Sequence, residues 1–314
     1  MKDSIGLPGG VWPVLVTPYD EQLRIDYDAF RRMVDWYLEQ GVDGMFASCL
    51  SSESYDLSSE ERMQLTQVVL DRVNGRVPVV VGAMGWADPT ERIEAIKSMH
   101  AMGADAVIMA ASELVAEHES DEKLEQVLMA IVQEADGIDL GLYECPKPYH
   151  RLLGLPLIGT LAKTNRFVFM KDTCCDIDIF KERLEVVEGT RLELYNAHSP
   201  IMLDAIKLGS KRFNGIGADV VPQLYAQLFE QSEIDLENAE MIQAFLNDQP
   251  IQFHYKHPLT VKACLNAMGI TMQVNSRYRS EALSENDQVM IRKLVLDVSD
   301  FYETLSSKTT SSAS

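Results

Sequence analysis

A chain of 314 residues with 46% hydrophobic content is long enough to bury one sizeable core and to carry an appendage on it. Forty-eight acidic residues against 28 basic ones leave a formal charge of -20, which repels phosphate backbones and anionic lipid and so excludes nucleic acid and membrane surfaces as partners. Five cysteines, odd in number and scattered, do not make a disulfide framework; with no apolar signal region in MKDSIGLPGG and no run of about eighteen apolar residues, the expectation is a cytoplasmic protein with reduced thiols.

In chain order, eight short apolar runs alternate with amphipathic stretches of helical length. The runs open at Val11 (VWPVLVTPY), Asp43 (DGMFASC), Val77 (VPVVVGAM), Asp105 (DAVIMAA), Ile138 (IDLGLYEC), Arg166 (RFVFMKDT), Leu192 (LELYNAH) and Arg212 (RFNGIGA). Near-continuous apolar character suits strands covered on both faces, and the stretches between them, such as DYDAFRRMVDWYLEQG and PTERIEAIKSMHAMG, place apolar residues three or four apart and end in glycine. The βα unit repeats over roughly 220 residues, the period and size of a (β/α)8 TIM barrel, predicted over 8–222. A doubly wound sheet is the competing arrangement, but no G-x-G-x-x-G turn follows the first strand. After the eighth run the pattern becomes helical only (VPQLYAQLFEQ, AEMIQAFLND, HPLTVKACLNAMG, SENDQVMIRKLVLDVSDFYETL). It predicts a C-terminal helical appendage over 223–306, and a low-complexity tail over 307–314 is expected to lack structure.

Chemistry in such barrels sits at the C-terminal ends of strands. Lys171 closes the sixth run and Tyr143 the fifth. A lysine pressed into an apolar barrel mouth loses hydration of its ammonium form, which favours the free amine and makes it able to attack a carbonyl carbon. A tyrosine on the neighbouring strand is placed to move protons. The alternative for Lys171 alone is an ordinary strand-end lysine that reaches out to water. Cys174, Cys175 and the histidines show no metal-ligand spacing, so no metal is expected.

Several stretches together resemble the dihydrodipicolinate synthase and N-acetylneuraminate lyase family of Schiff-base aldolases. GVWPVLVTPYDEQLRIDYDAF is similar to the family's opening strand and helix. LYECP stands where the family has Tyr-Asn-x-Pro, MKDTCCD where it has Lys-Asp-x-x, and HPLTVKACLNAMG is similar to its Pro-x-x-Val-Lys-x-x-Leu helix. The resemblance implies the barrel fold, an imine between Lys171 and pyruvate or a related 2-oxo acid, Tyr143 as proton shuttle, no metal or organic cofactor, and a homo-oligomer, tetramer or dimer. It also implies that the CLSSE loop, through Leu50, Ser51 and Ser52, holds the carboxylate of the 2-oxo acid.

The departures carry information of their own. The family's Gly-Thr-Thr-Gly-Glu loop reads CLSSE here, so Leu50 replaces a hydroxyl; AASELVAEH has no tyrosine where synthases carry a second one; and Pro148 stands closest to the arginine with which synthases grip a second carboxylate. Lys147 and Arg151 are the candidate replacements, and Glu113, Glu144 and His198 are candidates for lining the pocket. The expected function is a lyase or aldolase acting on pyruvate or another 2-oxo acid. The alternatives are 4-hydroxy-tetrahydrodipicolinate synthase itself and a catalytically silent 2-oxo acid binding member.

Overall fold

The computed structural model describes residues 6–248 and 255–312, with side chains as far as Leu305. Eight parallel strands form one sheet: β1 (Gly10–Val11), β2 (Met45–Ala47), β3 (Val79–Gly82), β4 (Ala106–Ala110), β5 (Leu140–Tyr143), β6 (Phe167–Asp172), β7 (Glu193–Asn196) and β8 (Arg212–Phe213). Their order, β1-β8-β7-β6-β5-β4-β3-β2, is closed by a parallel bridge between Val14 and Phe46, beside which Leu15 N–H donates to Phe46 O at 3.0 Å. Closure makes this a (β/α)8 barrel and excludes the doubly wound sheet. The ladder of β1 is shorter than its apolar run because Pro13 and Pro18 offer no N–H to a neighbour.

Around the barrel run α1 (Tyr27–Glu39), α2 (Ser59–Val73), α3 (Pro89–Met102), α4 (Asp121–Glu134), α5 (Leu155–Lys163), α6 (Ile177–Val187), α7 (Met202–Lys207) and the short α8 (Ile216–Val220). Their starts are written in the sequence. Asp26, Ser58, Asp88, Ser120 and Asp176 each accept backbone N–H groups at an N-cap, and Ser58 with Glu61 completes a capping box. Beyond them lie α9 (Pro222–Ile234), α10 (Leu236–Asn247), α11 (Leu259–Ala267) and α12 (Glu285–Ser312). The last helix runs through Ser312 and so takes in part of the segment 307–314, whose final two residues lie outside the described ones. Ile291, Leu294, Val298 and Leu305 are buried along this helix, and adding serine or threonine turns to a helix already anchored costs little.

The core has two layers, sorted by the alternation of strand side chains. On β4, Val107 and Met109 face the helices while Ala106, Ile108 and Ala110 face the barrel axis. β6 breaks this alternation at one point. Leu140 pairs with Phe167 but Gly141 pairs with Phe169, so Val168 is an extra residue, and Val168 and Phe169 both join the inner cluster. The bulge reverses the parity of everything after it: Met170 packs outward and Lys171, paired with Tyr143, turns inward.

Gly141 is the residue that admits the bulge, since a Cβ there would lie 2.3 Å from Ile108 Cδ1 and 2.7 Å from Phe169 O. Gly141→Ala is therefore expected to cost about 1–3 kcal/mol of unfolding free energy by overpacking. Chemical denaturation checks this, and an unchanged midpoint would show that the bulge has slack.

Candidate active site

At the C-terminal mouth of the barrel lies a cavity of about 220 Å³. Lys171 and Tyr143 both line it, side by side on β6 and β5, and each is only 5% exposed. The Lys171 Nζ stands 5.0 Å from the centre of the Tyr143 ring and 5.9 Å from that of Phe46. Neither a carboxylate nor a hydrogen-bond acceptor of the described residues engages this ammonium group. Burial pushes the Tyr143 phenol well above its ordinary range, so the hydroxyl keeps its proton.

The contrast is Lys262 of α11, which is fully buried but ion-paired to Glu53 at 2.7 Å. Glu53 is a left-handed residue (φ 58°) at the end of the loop after β2, and it also accepts the Ser276 hydroxyl at 2.7 Å and the Arg277 N–H at 2.8 Å. The same loop brings Leu50 and Ser51 to the cavity wall. Ser52 is turned away from it. Its hydroxyl donates to Leu15 O and accepts Cys49 N–H at 3.0 Å, and its own N–H donates to Cys49 O at 3.1 Å. Of the three residues expected to hold a carboxylate, the structure thus brings two to the cavity and uses the third to tie off the turn.

The other candidates separate in the same way. His198 lines the cavity, and burial lowers the basicity of its imidazole. Glu144 does not line it: with Tyr143 facing inward, the next side chain faces the helices, where Arg183 of α6 bridges Glu144 (2.8 Å) and Asp172. Glu144 also accepts the N–H groups of Leu153 (2.7 Å) and Thr173 (3.0 Å), so it clamps the loops after β5 and β6 together. Burial, then the neighbouring Asp172, raises the Glu144 carboxyl, while Arg183 opposes both. Glu113 accepts Gly85 N–H at 2.9 Å, away from the cavity. Arg151 is held by Glu119 O at 2.9 Å and Asp121 at 2.8 Å, and Lys147 lies 3.4 Å over the Tyr278 ring, so neither lines the cavity.

Sequence reasoning missed His150, Thr173 and His257, which line the cavity, and two groups behind it. Tyr55, four residues after Ser51, places its hydroxyl 3.9 Å from the Cys145 sulfur, which in turn lies against Tyr143. Asp219, from α8, is fully buried; its Oδ1 accepts Val14 N–H at 2.7 Å and its Oδ2 has no hydrogen-bond partner among the described residues. Burial raises this carboxyl from 3.8 to about 8, against the lowering effects of the Val14 N–H and of Lys171.

The sixth strand of this closed parallel barrel ends in an inward lysine beside a tyrosine, at the C-terminal mouth where barrel enzymes carry their active sites. The chain belongs to the dihydrodipicolinate synthetase family, whose model matches residues 7–297. It is 27% identical over 294 residues to the 4-hydroxy-tetrahydrodipicolinate synthase of Coxiella burnetii, covering 88% of this chain and 97% of that enzyme. The synthase of Pelobacter propionicus is also 27% identical, over 260 residues, covering 82% and 87% of the two chains. Among solved structures, the fold matches that of YagE, a prophage protein of Escherichia coli K12 crystallised with pyruvate. The TM-score is 0.83 at 20% identity, with 93% of this chain and 99% of that one covered.

Asp219 makes the stability of the site depend on pH. The unfolded chain loses this proton near 3.8 and the folded chain keeps it to about 8, so between those values the native state binds more protons and stability falls as pH rises. Asp219→Asn keeps an acceptor for Val14 N–H and removes the ionisable group. It is expected to be more stable than the parent at pH 8 by at least about 1 kcal/mol, the difference vanishing towards pH 4. Denaturation midpoints measured across this range test it, and parallel curves for the two proteins would contradict it.

Proposed function

We propose that this chain is a Schiff-base-forming lyase of the class I aldolase type, acting on pyruvate or a related 2-oxo acid, with Lys171 as the imine-forming nucleophile and Tyr143 as the proton shuttle. The observation that carries the reading is the difference between the two buried lysines. Lys262 is neutralised by Glu53 and is structural, whereas Lys171 faces two aromatic rings and a cavity, and among the described residues no carboxylate forms a salt bridge with it. A lysine nitrogen that no salt bridge holds and that faces a cavity is free to meet a carbonyl carbon there.

In this mechanism the Lys171 amine adds to C2 of the 2-oxo acid. Loss of water, with Tyr143 relaying protons between the substrate oxygen and the nitrogen, gives the imine. The positive iminium nitrogen then stabilises removal of a proton from C3, and the resulting enamine is the carbon nucleophile. Leu50 and Ser51 line the cavity, and the Ser51 hydroxyl is the group we assign to receive the carboxylate. No organic cofactor or metal enters this sequence of steps. We read the assembly as a homo-oligomer and the location as the cytoplasm; among the described residues no helix is long and apolar enough to cross a membrane.

The relatives' synthase activity is the second reading, favoured by matches along nearly the whole of their length. Against it stand Leu50 in place of a hydroxyl and the engagement of Lys147 and Arg151 elsewhere.

Borohydride reduction in the presence of pyruvate is expected to attach one reduced pyruvyl group per chain, on the peptide containing Lys171, and Lys171→Ala is expected to abolish it. Tyr143→Phe should still form the adduct, more slowly, while turnover falls by about a hundredfold to ten-thousandfold. A label on another lysine would refute the assignment of the nucleophile, and full turnover in the phenylalanine variant would refute that of the shuttle.

A further inference from the structure

Tyr143 and Lys171 are partners in the register of β5 and β6, and the residue that follows each of them is a buried carboxylate, Glu144 at 0% and Asp172 at 1% exposure. Because strand side chains alternate, the reactive pair faces the cavity and the carboxylate pair faces the helices. Two like charges at adjacent strand ends repel: burial first, and then Asp172, raises the Glu144 carboxyl. One guanidinium holds them together. Arg183 of α6, 2% exposed, places Nη2 2.8 Å from Glu144 Oε1 and Nη1 3.0 Å from Glu144 Oε2, and the same Nη1 meets Asp172 Oδ2. Among the described residues no other cation pairs with either carboxylate.

The cluster is tied to the cavity wall by short links. Thr173, which lines the cavity, donates its N–H to Glu144 Oε2 at 3.0 Å and its hydroxyl to Glu144 O at 2.9 Å, while Glu144 N–H donates to Lys171 O at 3.3 Å. On the other side Leu153 N–H donates to Glu144 Oε1 at 2.7 Å and Leu153 O accepts Arg183 Nη2 at 2.9 Å. A planar fork is what this geometry needs. An ammonium at position 183 would keep the charge but has no pair of parallel N–H groups with which to span two carboxylates.

We propose that Arg183 and Glu144 are positioning residues of the reaction: by bridging the two strand ends from behind, they hold Tyr143 in register with Lys171 for proton transfer. The inference rests on the Schiff-base reading above. It places the effect of the cluster on the proton-transfer step, with the affinity for the 2-oxo acid left to the opposite wall of the cavity. A displacement of about 1 Å between reacting groups is enough to slow such a step by about a hundredfold.

The test needs only pyruvate. In deuterated water each passage through the enamine breaks one C3–H bond, forms one C3–D bond and returns the Lys171 amine, so proton NMR of the methyl group reads kcat and KM of exchange. Arg183→Lys is expected to lower kcat by about tenfold to a hundredfold with KM within about twofold of the parent. Glu144→Gln keeps the volume and one acceptor oxygen, leaves Arg183 paired with Asp172, and is expected to lower kcat by about threefold to tenfold. Both variants should still give the borohydride adduct on Lys171. In a Tyr143→Phe background the effect of Arg183→Lys is expected to shrink to about twofold or less, since the group being positioned is gone. A lower melting temperature with kcat unchanged would make the cluster purely structural, and losses that multiply in the Tyr143→Phe background would show that it does not act through Tyr143; either result overturns the proposal and leaves the imine reading standing. Should Arg183→Lys fail to fold, Glu144→Gln alone and in the Tyr143→Phe background decides in the same way. A parent protein that forms no adduct and exchanges no proton overturns the imine reading itself.

Discussion

One extra residue in the sixth strand determines the character of this site. Strand side chains alternate, so a regular β6 with Phe167 outward would turn Lys171 outward too, into the layer of helices. The bulge at Val168 changes that parity. Lys171 then faces the axis beside Tyr143, and Glu144 and Asp172 face the helices, where Arg183 meets both. The regular alternation of β5 and the bulge of β6 together sort the charges at their ends: an unpaired amine inside, a paired cluster outside. The cluster is not simply a source of stability, since the desolvation of three charges offsets much of their attraction. Through Leu153 N–H and Thr173 N–H it fixes two loops of the mouth relative to each other.

The second organising contact is the Glu53–Lys262 pair, which joins the loop after β2 to the C-terminal helices. Removing one partner of such a pair leaves a buried charge and typically costs about 3–5 kcal/mol. Because Glu53 follows Ser51 and Ser52 directly, the same contact holds the part of the cavity wall formed by Leu50 and Ser51, and the helices beyond the barrel are part of the site's construction. The net charge of -20 leaves the site itself largely untouched. The groups lining the cavity are one lysine, imidazoles, hydroxyls, a thiol and apolar side chains.

Much of this was legible in the sequence, and the limits of legibility have physical causes. Eight apolar runs at barrel spacing predicted the fold, and the ends of the fifth and sixth runs pointed to Tyr143 and Lys171. The bulge was not visible, because FVFM is apolar on both faces and a strand buried on both sides hides its own parity. Ser52 and Ser51 look alike as letters, and only the turn decides that one hydroxyl closes on Leu15 while the other meets the cavity. Glu144 reads as a polar residue at a strand end, yet its neighbour's inward orientation sends it outward to a helix distant in sequence. Asp219, behind the cavity, and His257, at its wall, come from segments that carry no local signal. A carboxylate in IGADV and a histidine before a proline gain their significance from what closure of the barrel places against them.

The central claim is that the bulge delivers an unpaired Lys171 to a cavity where a 2-oxo acid binds covalently. A crystal structure of the enzyme soaked with pyruvate tests it most directly. The account predicts continuous density between Lys171 Nζ and C2 of the ligand, the carboxylate at the Ser51 hydroxyl, and the Tyr143 hydroxyl within hydrogen-bond reach of the imine. A pyruvate bound elsewhere, or a Lys171 side chain turned out of the cavity towards a carboxylate, would contradict it.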